Sequence, residues 1–115
     1  MYKIILFSSL FVLATAAHAS ERLLTGAEIT QALSDHAYRH ADITKKVEQI
    51  FHAPGDTFYS EDGAQSQGRW EVRGDKYCSQ WPPAKVWSCY SVSTDGAVLT
   101  FISAHGARFP VTRLD

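Results

Sequence analysis

Three regimes of apolar spacing divide the chain. Residues 4–14 form an apolar run, with only Ser8 and Ser9 inside it. Residues 24–35 carry apolar side chains at helical spacing, with Ile29 and Leu33 four apart on one face. From residue 36 onward, apolar residues come in short stretches rich in aromatic and β-branched types, punctuated by turn formers.

The second regime predicts one helix. Thr25-Gly26-Ala27-Glu28 has the capping-box pattern, in which the Thr25 hydroxyl takes a free amide of the first turn and Glu28 reaches back. Leu24 before the cap and Ile29 after it are placed to pack as a hydrophobic staple. The helix is expected to end near Ser34-Asp35, too short to persist without packing on something else.

The third regime predicts an antiparallel meander of seven or eight strands. Turn signals stand at Pro54-Gly55-Asp56, Asp62-Gly63, Gly68, Gly74-Asp75, Pro82-Pro83, Asp95-Gly96 and His105-Gly106. The strands between them are expected near 36–40, 46–53, 56–60, 68–73, 76–81, 86–93, 97–103 and 107–112. Trp70 and Val72 alternate with Arg69, Glu71 and Arg73, and Tyr90 and Val92 alternate with Trp87, Cys89 and Ser91. A two-residue turn at Gly74-Asp75 sets Arg73 opposite Lys76, Val72 opposite Tyr77 and Glu71 opposite Cys78. The fold class is therefore mainly β, with a curved sheet or small barrel and a helix that plugs one end or covers one face.

The first regime is read as a signal peptide. Lys3 precedes the apolar run, small residues end it, and Ala17-His18-Ala19 is a small-x-small site, so cleavage is expected before Ser20. The run is too short to cross a bilayer core. Residues 1–19 are thus set aside, and residues 20–115 form a single β-rich domain, periplasmic or secreted and not embedded in a membrane. In an oxidising compartment the isolated pair Cys78 and Cys89 is most simply a disulfide, with metal ligation and a redox couple as the alternatives, although the spacing is not CxxC. The 11 Lys+Arg and 12 Asp+Glu are interspersed, which argues against a nucleic-acid binder.

Gly68-x-Trp70-x-Val72, Tyr77-Cys78-Ser79-Gln80-Trp81 and Cys89-Tyr90-x-Val92 stand together with Leu24-Thr25-Gly26-Ala27-Glu28-Ile29 upstream. This combination resembles a group of small exported proteobacterial proteins, over most of residues 20–115. The resemblance implies a periplasmic or secreted β domain with one disulfide, and brings no catalytic residues with it.

Several groups could carry chemistry. His36 and His40 would share a helix face and suit a divalent metal, with His52 or His105 as a third ligand. On a strand the same two stand about 13 Å apart, too far for one ion. Arg73-Gly74-Asp75 is an adhesion-type tripeptide, but Gly-Asp also supplies what a tight turn needs. Gln80, Trp81, Trp87 and Tyr90 flank a stiff Pro82-Pro83 between the cysteines, and a rigid aromatic loop is a good recognition surface. Glu61-Asp62 are adjacent carboxylates, which a strand points to opposite faces. No Ser lies in Gly-x-Ser-x-Gly, and no glycine-rich phosphate loop occurs.

The sequence therefore favours a non-enzymatic binding module with no cofactor. Its partner is expected to be a protein, peptide, envelope component or small apolar ligand, met through the Trp81 loop or the concave face of the sheet. A metal-binding protein or metal-dependent hydrolase using His36 and His40, and a structural envelope protein, are the alternatives.

Overall fold

A computed structural model describes residues 20–41 and 44–115. The signal-peptide reading of residues 1–19 lies outside the described residues. A two-residue strand, β1 (Arg22–Leu23), precedes the helix α1 (Gly26–Leu33). The capping box is formed as the sequence predicts. The Glu28 amide donates to the Thr25 hydroxyl, and the Thr25 amide donates to the Glu28 carboxylate. Ile29 and Leu33 are fully buried, so the apolar face of this short helix gains the packing it needs.

Eight further strands follow: β2 (His36–His40), β3 (Val47–His52), β4 (Asp56–Glu61), β5 (Ala64–Arg73), β6 (Lys76–Gln80), β7 (Trp87–Thr94), β8 (Leu99–Ile102) and β9 (Arg108–Arg113). Each pairs antiparallel with the next. Pairing of β9 with β2, through Tyr38↔Arg113 and His40↔Val111, closes the barrel. Closure leaves no open edge among the eight strands. The extra strand was not expected. β8 takes one edge of β7 at Ser91–Thr94, so β1, opposite Ser93 and Thr94, lies on the edge that β6 uses further along.

The Gly74-Asp75 turn sets the expected register, Arg73↔Lys76, Val72↔Tyr77 and Glu71↔Cys78. Cys78 then lies directly opposite Cys89, and the two are joined in a disulfide with Cα atoms 4.0 Å apart. Two expectations are corrected. β5 begins at Ala64 rather than residue 68, and Gly68 is no turn but a buried strand residue. A Cβ there would lie 2.6 Å from Cε3 of Trp81, so the missing side chain is what lets the indole lie across the strand.

The helix plugs one end of the barrel. Its Gly26 amide donates to the Asp75 carboxylate at 2.7 Å, and a Cβ on Gly26 would come within 2.1 Å of the Gly74 carbonyl oxygen. Leu24, Ile29, Leu33, Tyr38, Phe51, Trp70, Val92 and Val111 join in a core that fills this end. Phe51 stands at its centre, with Trp70 and Tyr77 edge-on to it at 5.6 and 5.5 Å. Eight strands enclose an interior just wide enough for side chains or for one small ligand. Here the side chains fill only the helix end.

Candidate ligand-binding site

At the end away from the helix the barrel holds a cavity of about 910 Å³. Strand alternation makes it. Tyr77 and Ser79 on β6, Tyr90 on β7, Phe101 on β8 and Phe109 on β9 are inward positions of their strands, and all line it. Tyr59 and Trp81 add two more aromatic walls, with ring centroids 5.9 Å apart. Tyr77 stacks on Tyr90 at 5.7 Å and lies 5.0 Å from Phe101. Phe109, 43% exposed, stands edge-on to Tyr90 near the mouth.

The wall carries a buried polar network. Gln49 lies between Val47 and Phe51 on the inward face of β3. Its amide nitrogen donates to the Thr57 hydroxyl and to the Tyr77 hydroxyl, each at 3.1 Å. Thr57 in turn donates to the Ile50 carbonyl. The indole nitrogen of Trp81 donates to the Ser79 hydroxyl at 3.3 Å, which fixes the ring against the wall. Burial pushes the Tyr77 phenol up to about 12, despite hydrogen bonds from Ser79 and Gln49 that act the other way. It therefore stays a neutral hydroxyl at any physiological pH.

His40 also lines the cavity, 3.4 Å from the Gln49 carboxamide oxygen and edge-on to Tyr59. Burial lowers its pKa below the ordinary 6.5, which favours neutral imidazole. Among the described residues of the lining, Arg108 alone has a permanent charge, and its guanidinium is engaged by Glu21. The described lining is thus mainly aromatic and hydroxylic, with its one permanent charge paired.

The structure brings together only part of the residue set that the sequence suggested. Trp81 and Tyr90 face the cavity. Gln80 and Trp87 take the outward positions of β6 and β7. Gln80 donates to the Lys85 carbonyl, and the Arg73 guanidinium sits 4.7 Å from the Trp87 ring centroid. His36 and His40 share a face of β2 but stand at its two ends, about 13 Å apart by strand rise. His36 pairs with Asp115, while His40 turns into the cavity. No group of three His, Cys, Asp or Glu side chains converges among the described residues. In the Arg73-Gly74-Asp75 turn, Asp75 holds the helix and Arg73 binds Glu71 and Trp87.

Gln49, Thr57, Tyr59, Ser79, Phe101 and Phe109 were not singled out by the sequence. The available signal was a polar residue, Gln49, at an inward position between two apolar ones. No helix among the described residues is long and apolar enough to cross a membrane, and the disulfide is consistent with an oxidising, extracytoplasmic location. No family model, curated protein or solved structure matches the chain.

Proposed function

We propose that this protein is an exported, non-enzymatic binding module that holds one small aromatic or otherwise apolar ligand in the open end of its barrel. The observation that carries the reading is the cavity. Its volume of about 910 Å³ falls in the range of small-molecule sites, and its walls are aromatic with a few placed polar groups. Burial of apolar ligand surface against Tyr59, Trp81, Tyr90 and Phe101 would supply the affinity. The disulfide and the signal-like residues 1–19 support action in the periplasm or outside the cell. The barrel walls are preformed, so little ordering opposes binding.

Phenylnaphthylamine, a neutral dye that brightens in apolar surroundings, tests this. The wild type is expected to bind it saturably at one site. Ser66 lines the mouth and is exposed, so Ser66→Trp narrows the entrance without disturbing the core. This variant is expected to bind about tenfold more weakly, equivalent to about 1.4 kcal/mol. Unchanged affinity in Ser66→Trp would place the dye elsewhere and contradict the reading.

A further inference from the structure

The Tyr77 and Ser79 hydroxyls lie side by side on the inward face of β6 and line the cavity. Each is already an acceptor, Tyr77 from Gln49 and Ser79 from Trp81. Each also has one proton to donate. The two residues stand two apart on one face of the strand, so at most one hydroxyl donates to its neighbour. They cannot both do so, since the second proton would then point at the first. Among the described residues neither donates a hydrogen bond to any other group. One hydroxyl proton is therefore left over, in a wall otherwise built of aromatic rings. That proton can point into the open cavity, where a ligand acceptor can take it in place of water.

From this pair we infer that the cavity selects an uncharged aromatic compound bearing a carbonyl, with the carbonyl oxygen set against the Tyr77 and Ser79 hydroxyls. This rests on the ligand-binding reading above and narrows it to a chemical class. Among the described residues of the lining the one charged group is already paired, which argues against ionised ligands. The Arg108 guanidinium is paired with Glu21, and a carboxylate carried into the barrel would lose its water and have to compete with Glu21 for that cation. A ketone, quinone or amide loses less on leaving water and regains a hydrogen bond.

Displacement of phenylnaphthylamine by three matched compounds tests the assignment: acetylnaphthalene, ethylnaphthalene and naphthoate. In the wild type naphthoate is expected to displace the dye least well. In the double variant Tyr77→Phe/Ser79→Ala, acetylnaphthalene is expected to weaken about tenfold more than ethylnaphthalene and the dye do. The dye then reports that the barrel is intact. Equal effects of the double substitution on ketone and hydrocarbon, or naphthoate as the tightest ligand of the wild type, overturn the assignment while leaving a general apolar site standing. Failure of the wild type to bind dye and all three compounds would remove both readings. Should the double variant fail to bind dye, the carbonyl stretch of acetylnaphthalene on the wild type decides. A frequency below that in hydrocarbon solvent supports the hydrogen bond, and an unshifted one overturns it.

Discussion

Gly68 shows how one residue sets the shape of the site. Its absent side chain makes room for the Trp81 indole, which in turn bonds Ser79 and forms a wall. In Gly68→Ala the new methyl would lie 2.6 Å from the ring and 2.7 Å from the Gln80 carbonyl oxygen. The β5–β6 register holds Gln80 in place, so the ring must move. The variant is expected to lose about 1–3 kcal/mol of stability, the usual cost of overpacking, with a shift in tryptophan emission. Denaturant titration followed by fluorescence checks both, and wild-type values for both would contradict the packing described.

His40 is the second informative residue. Burial holds its folded pKa below 6.5, so the unfolded chain takes up the proton first as pH falls. Stability is therefore flat above that value and declines as pH drops through it toward the folded pKa. The acidic groups with lowered pKa act chiefly at lower pH, Glu21, Glu28 and Glu48 below their ordinary 4.5 and Asp95 and Asp115 below their ordinary 3.8. Comparing unfolding midpoints at about pH 8 and about pH 5 isolates the imidazole term. His40→Gln is expected to lose less of its midpoint over this interval than the wild type. An equal loss in the two proteins would assign the decline to another group.

At the scale of elements, the β6–β7 hairpin and the helix do different work. The disulfide closes a short ring between neighbouring strands, worth roughly 3 kcal/mol in the chain-entropy account. Cys78→Ser/Cys89→Ser is expected to lower stability by about that amount. Strand pairing should persist, because hydrogen bonds and inward aromatics also join β6 to β7. A loss below about 1 kcal/mol in denaturant titration would contradict the chain-entropy account here. The helix and the β5–β6 hairpin were legible in the sequence because their signals are local. A capping box, two apolar residues four apart and a Gly-Asp turn each act within a few residues. Gly68 was misread for the same reason, since a local rule takes glycine for a turn and cannot see an indole thirteen residues on.

At the scale of the whole molecule, two non-local facts make the site. The first is closure of β9 on β2, which sets His40 and Val111 side by side across most of the chain length. The second is unequal filling, with the helix and its core at one end and open space at the other. Alternation and turn spacing announced the strands and their consecutive pairing, but not whether the last strand would close on the first. The sequence did not single out Gln49, Thr57 or Ser79 as site residues, because a polar side chain that faces a cavity looks like one that faces water. Trp81 and Tyr90 were legible as aromatic residues near the disulfide, while Gln80 and Trp87 were separated from them by strand parity alone.

The three tryptophans provide a position-resolved test of the ligand-binding reading. Trp81 lines the cavity, Trp70 donates to the His52 carbonyl in the core, and Trp87 lies outside under Arg73. The decisive measurement is the indole N–H region of the nitrogen–proton correlation spectrum during titration with phenylnaphthylamine. The Trp81 resonance is expected to move to saturation while those of Trp70 and Trp87 stay in place. A stationary Trp81, or movement of Trp87 alone, would contradict a ligand site inside the barrel.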